Sequence, residues 1–207
     1  SDVAFGSDGT VYVLCGAAIQ KRSFEDDDLG PMGIPAGNGN AVWPVQMIKD
    51  SREHLYVSYE AQHRITAFTT DGELVDSWGE HGTEDGRLDR PSGIAFDPDE
   101  NMFVSDTQNH RVQKFTKDGK FLAGWGHRGH GDGEFEMPWG IAVDELGDVY
   151  VSDWGNHRVQ KLTADGEHVM TIGRHGSGNG EFDGPAGIEV DSDGDIYVAD
   201  WRNDRVQ

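Results

Sequence analysis

Basic residues are scarce in this chain. Its 207 residues hold 17 Lys and Arg against 38 Asp and Glu, a formal charge of −21. A field of that sign repels nucleic-acid phosphates and anionic membrane surfaces across a Debye length of about 8 Å. Neither is an expected partner. Long apolar runs are also missing, and none approaches the roughly 18 residues that a membrane span needs. Cysteine occurs once, at Cys15, which rules out an intramolecular disulfide; at the end of a Val-Leu-Cys run it reads as a small apolar filler. No segment keeps apolar residues at the 3.6-residue spacing of a sustained helix. No signal-peptide pattern is visible. The chain starts inside a repeat without an initiator Met, so a signal segment is left open.

What the chain has in quantity is glycine, 29 residues, with only 35% apolar content. Many short strands joined by tight turns fit that balance. They also repeat. Pro44, Pro91, Pro138 and Pro185 recur every 47 residues, and so does a motif that reads "DTQNHRVQKF" from Asp106, "DWGNHRVQKL" from Asp153 and "DWRNDRVQ" from Asp200. A weaker copy starts at Tyr59. In the unit from Pro138, turn chemistry predicts strands over Gly140–Asp144, Val149–Ser152, Arg158–Thr163 and His168–Ile172. The second strand is β-branched and aromatic, and Asp165-Gly166 marks the hairpin between the last two. Four antiparallel strands per 47 residues is the arithmetic of a propeller blade. The expected fold is therefore an all-β propeller of four-stranded blades in one domain, with units 1–43, 44–90, 91–137, 138–184 and a short fifth over 185–207.

The Pro-x-Gly-Ile-Ala-Val-Asp start, the Tyr-Val-Ser/Ala-Asp strand, the Asn-His-Arg-Val-Gln-Lys turn and the Gly-x-Gly-x-Gly-Glu-Phe loop resemble NHL repeats. The resemblance implies a six-bladed propeller, of which about five blades are present. The first unit is decayed: Pro31 and Pro35 cannot donate to a ladder, so a short, disrupted outer strand is expected there. Glu25 to Asp28 reads as a solvated turn tip. Open edges of an incomplete ring imply a homo-oligomer or another masking contact.

Chain direction puts the motif and the Gly-rich loops on one face, beside the mouth of the channel. Within the motif, Asp153 and Arg158 flank one tight turn and can pair; Asn156 suits a left-handed turn position. A catalytic constellation is built once, whereas a feature found in every blade fastens blades. The structural reading covers Asp106, Asn109, Arg111, Asp153, Asn156, Arg158, Asp200, Asn203 and Arg205. Trp78 and Trp125 recur at one position of strand four and read as packing.

Function is then sought where a unit departs from its template. Trp139 follows the unit-starting Pro where others have Val45, Ser92 and Ala186. Trp43 precedes it, and Trp154 and Trp201 follow the motif acid. Glu189 replaces Ala95 and Ala142 on the inner strand, and Arg202 replaces Gln108 and Gly155. These six (Trp43, Trp139, Trp154, Trp201, Glu189 and Arg202) are the candidate ligand-binding residues. Exposed indoles around a concave opening are typical of ligand contacts.

Some similar propellers are amidating lyases or lactonases, which implies an alternative: a metal-dependent lyase or hydrolase acting in the channel. Its metal, zinc or calcium, would draw on His81, His127, His130 and His175 in the loops. The stretch from Asp191 lacks the Gly and Glu placement of an EF-hand. No nucleophile elbow, P-loop or dinucleotide fingerprint occurs. RNA binding, implied by some related ubiquitin-ligase propellers, conflicts with the charge. The reading is a non-catalytic platform for a peptide, protein or carbohydrate, without a cofactor. The acid-rich surface suits an extracellular or periplasmic setting.

Overall fold

The computed structural model describes residues 2–16, 18–23, 25, 28–32 and 44–207. They form five antiparallel sheets, each a meander in chain order. Blade one holds β1 (Asp2–Phe5), β2 (Val11–Cys15), β3 (Ala18–Arg22) and β4 (Asp28–Met32). Blade two holds β5 (Pro44–Lys49), β6 (Leu55–Tyr59), β7 (Arg64–Phe68) and β8 (Leu74–Trp78). Blade three holds β9 (Pro91–Phe96), β10 (Asn101–Asp106), β11 (Arg111–Thr116) and β12 (Phe121–Trp125). Blade four holds β13 (Pro138–Val143), β14 (Val149–Asp153), β15 (Arg158–Leu162) and β16 (His168–Ile172). Blade five has three strands, β17 (Pro185–Val190), β18 (Ile196–Asp200) and β19 (Arg205–Val206). The inner strands β1, β5, β9, β13 and β17 pack side by side in that order. The fold is a β-propeller.

Turn chemistry sets each blade. At the first turn, Asp144 Oδ1 accepts the amides of Leu146 and Asp148 at 3.0 and 2.9 Å. Asp191 repeats this, taking Asp193 and Asp195 amides and the Tyr197 hydroxyl. The Asp191 carboxylate therefore closes a turn. At the hairpin between strands three and four, Gly166 takes φ 82°, which only glycine adopts at no steric cost.

The core lies between blades. Phe103, Val112 and Phe135 of blade three pack on Ile141, Val149, Val151 and Leu162 of blade four. Ala142, Tyr150, Val159 and Phe182 meet Ile188 and Val198 of blade five. Both faces of each middle blade are thus buried, so β14 is buried at all five positions. Each such aliphatic or aromatic side chain contributes about 1.5–3 kcal/mol on burial. The close approach needs glycine on the inner strand: a Cβ on Gly140 would lie 2.2 Å from the Ala186 carbonyl oxygen.

Three expectations are corrected. The inner strand of blade four begins at Pro138 rather than Gly140. The outer strand of blade one is not shortened. β4 has the five residues of β8, β12 and β16, with Pro31 opposite Gln20; as an edge strand it has no outer partner to receive the missing N–H. Pro35 and most of the acidic tip lie outside the described residues. The left-handed residue of the motif is not Asn156 but His157, at φ 55° after a single 3-10 turn over Trp154–Asn156.

Candidate functional site

The repeated motif fastens the loop that enters its own blade. Asp153 Oδ1 accepts the Glu136 amide at 2.7 Å. Its Oδ2 accepts from Asn156 Nδ2 and Arg158 Nε, both at 2.8 Å, and from Gln160 Nε2 at 3.3 Å. Arg158 donates onward to the carbonyls of His130, Gly131 and Glu134, and Asn156 to that of Gly129. The same set recurs with Asp106, Asn109, Arg111 and Gln113, and with Asp200, Asn203, Arg205 and Gln207. The glutamines escaped the sequence reading, although their recurrence with the motif was the available signal. Motif histidines hold the next loop: His157 Nδ1 accepts the Gly184 amide at 3.1 Å, as His63 and His110 accept those of Arg90 and Met137.

Where the inner strands converge, a cavity of about 700 Å³ opens. Its lining includes Asp2, Gln46, Gly93, Gly140 and Glu189 from the inner strands, with Glu60, Trp139, Tyr197 and Trp201 beside them. Asp2 and Gln46 occupy the place of Gly93 and Gly140, and both reach forward: Asp2 Oδ2 accepts the Met47 amide at 2.7 Å, and Gln46 Oε1 the Ile94 amide at 2.9 Å. Burial pushes the Asp2 carboxyl up, against the Met47 amide, which pulls it down. Glu189 is exposed to solvent, yet protein surrounds it in the concave wall. That desolvation, and the negative charge of Asp2, hold its carboxyl above the usual range. Among the described residues, the lining contains no Lys, Arg or His.

Of the six candidate residues, three line this cavity: Trp139, Trp201 and Glu189. Trp154 is half-buried beside it, with the Arg202 guanidinium 4.8 Å from its ring centroid and 5.9 Å from that of Trp201. Arg202 also donates its amide to the Asp183 carbonyl at 3.0 Å. Trp43 lies outside the described residues. Trp78 and Trp125 press on the hairpin glycines Gly119 and Gly166 of the following blades. Asp2, Glu60 and Tyr197 were missed; the acids stand in the poorly matching first two units, and Tyr197 looks like any other Tyr-Val strand.

The loop histidines are not gathered as a group. His127 lies 3.3 Å from Glu134 and His130 Nδ1 2.6 Å from Asn156 Oδ1. His81 joins His63 and Asp89, and His175 joins His157 and Asp183. Among the described residues no helix is long and apolar enough to cross a membrane.

The NHL repeat family model matches residues 88–115, 135–162 and 182–207. Each span runs from a buried loop residue (Leu88, Phe135 or Phe182) into strand three. A search of curated proteins finds no match. Among solved structures, virginiamycin B lyase from Staphylococcus aureus is 15% identical with a TM-score of 0.71, covering 99% of this chain and 64% of that one. A streptogramin B lyase structure is 17% identical with a TM-score of 0.73, covering 99% and 62%. A chain of a nidogen/laminin complex is 20% identical with a TM-score of 0.72, covering 99% and 73%. This chain thus spans less than two thirds of the two lyases. At these identities the likeness is one of fold.

Proposed function

We infer that this NHL-repeat β-propeller is a non-catalytic binding platform whose axial cavity takes a cationic group from a peptide or protein partner. One observation carries the reading: Asp2 and Glu189 share the lining with Trp139, Tyr197 and Trp201, and among the described residues that lining holds no Lys, Arg or His; Glu60, also in the lining, is already paired with Arg90 at 3.4 Å. Indole and phenol faces attract a guanidinium or ammonium by about 0.5–2 kcal/mol each. Carboxylates that are partly desolvated add a stronger pull than they would in water. The overall charge of −21 steers cations toward the mouth. A carbohydrate could stack on the same rings but would leave the Glu189 carboxylate without a role.

The test is a fluorescence titration with an arginine-containing heptapeptide and its citrulline analogue. The arginine peptide is expected to bind, with affinity falling as salt rises, and Trp139→Ala and Glu189→Gln to weaken it about tenfold or more, a loss of about 1.4 kcal/mol. Equal binding of the citrulline peptide, or indifference to both substitutions in folded protein, would overturn the reading. Binding of a neutral oligosaccharide alone would replace it with a carbohydrate platform.

A further inference from the structure

Two sets of side chains lie outside the cavity and take no part in fastening the turns to their own loops. In each of His63–His81–Asp89 and His157–His175–Asp183, one donor atom per residue falls within 4.8 Å of the others. His63 Nδ1 is 3.2 Å from Asp89 Oδ1, and His81 Nε2 is 3.5 Å from Asp89 Oδ2. The second set repeats this at 3.3 and 3.9 Å. Ligands around a tetrahedral zinc, with bonds of about 2.0–2.2 Å, stand about 3.3–3.5 Å apart. The His–Asp spacings of 3.2–3.9 Å are near that value, and closing each set from within 4.8 Å takes only small side-chain shifts.

The nitrogens are in the right state. Backbone amides of Arg90 and Gly184 donate to His63 Nδ1 and His157 Nδ1, both at 3.1 Å, so each Nδ1 carries a lone pair, which a metal would take over from the amide. The paired rings lie 4.4 and 4.3 Å apart between centroids.

Blade three supplies the contrast. His110 holds the Met137 amide as its counterparts do, and Glu136 stands at the place of Asp89 and Asp183. But Arg128 replaces His81 and His175, and its guanidinium grips Glu136 through Nε at 2.9 Å and Nη2 at 3.2 Å. A bidentate guanidinium from its own loop grips the carboxylate in blade three. In blades two and four two imidazoles face it, and in blade four Arg202 Nη1 also stands 3.5 Å from Asp183 Oδ1. We propose that these two sets bind zinc, each through three protein ligands with a fourth position open to solvent. His81 and His175 side chains, each 67% exposed, leave that position accessible. Two nitrogens and one carboxylate oxygen suit zinc, whereas calcium and magnesium prefer all-oxygen sets. The metal would clamp the loop leaving a blade to the motif turn of that same blade, whereas Arg128 in blade three ties that loop to itself through Glu136.

Whole protein is stripped with chelator, dialysed against zinc, and its metal counted. Two zinc ions per chain are expected. His81→Arg and His175→Arg should each remove one with circular dichroism unchanged, because Arg is what blade three carries there; His81→Gln reads the same loss if an Arg variant misfolds. The double variant His127→Ala/His130→Ala should keep both ions. Cobalt(II) should give the visible bands of a tetrahedral site and lose them in step with the zinc. Folded protein that takes up no zinc, or uptake unchanged by substituting His81 and His175, would overturn the proposal.

Discussion

Blades four and five are near copies in sequence and differ sharply in environment. Tyr150 and Val159, on the side of blade four that meets blade five, are 5% and 0% exposed. Their counterparts Tyr197 and Val206 are 49% and 69% exposed, because among the described residues no blade lies against that side of blade five. Val3 and Phe5, on the opposite side of blade one, are similarly open at 48% and 57%. The same residue types in the same strands are core in one place and surface in another. A blade therefore does not own its core; it shares one with each neighbour, as in other repeat architectures.

The contrast extends to the motif acids. Asp153 and Asp200 accept the same kinds of donors, from an amide, an Asn, an Arg and a Gln. Burial dominates at Asp153 and pushes its carboxyl up, against Asn156, the Glu136 amide and Arg158. At Asp200 burial pushes the same way, but the Asp183 amide, Asn203 and Arg205 outweigh it, and the carboxyl ends below its usual range.

The largest expected effect comes from breaking the buried fastening. Asp153→Ala leaves Arg158, Asn156 and the Glu136 amide without their acceptor and should cost about 3–5 kcal/mol, read as a lowered urea midpoint. Asp200→Ala, in the less enclosed copy, should cost clearly less; equal losses would mean that the neighbouring blade does not matter to the fastening. Next comes Tyr150→Ala, which removes a buried ring and should cost about 3 kcal/mol, while Tyr197→Ala should leave the midpoint unchanged. If the Tyr197 variant proved as damaging, the open side of blade five would be covered in solution, and light scattering across dilutions should then show a second copy.

The smallest effect is a titration. Carbon-13 NMR of the two carboxyls should find Asp153 titrating above the ordinary carboxylate range and Asp200 below it. The linkage to stability has opposite signs. Asp200 contributes stability that is present above the unfolded value and is lost as pH falls through its depressed folded value. Ionised Asp153 costs stability, and that cost is relieved as pH falls from its raised folded value toward the unfolded one. Coincident titrations would remove burial as the cause of the difference.

Much of the fold was legible because propeller blades are local. Strands that flank an Asp-Gly turn need only their own hairpin, so His168–Ile172 matched its expected span to the residue. The pairing of Asp153 with Arg158 was legible for the same reason, since one turn separates them. The candidate site was legible in part. Trp139, Trp201 and Glu189 were found as departures from the template, and a departure is visible in one sequence. Asp2 and Glu60 were not, since the first two units match that template too poorly to show what departs from it. His63 and His157 were hidden by the opposite problem: they belong to the template, and their value as ligands depends on a loop that begins well along the chain.

What the amino-acid order settled alone is the period, the strands, the turns and the chemistry that closes them, because each rests on residues within one unit. Tertiary structure decided which strand faces are core, which acids gather around the axis, and which histidines meet a carboxylate. Those outcomes depend on how one blade leans on the next, and near-identical blades such as four and five receive different answers from their neighbours.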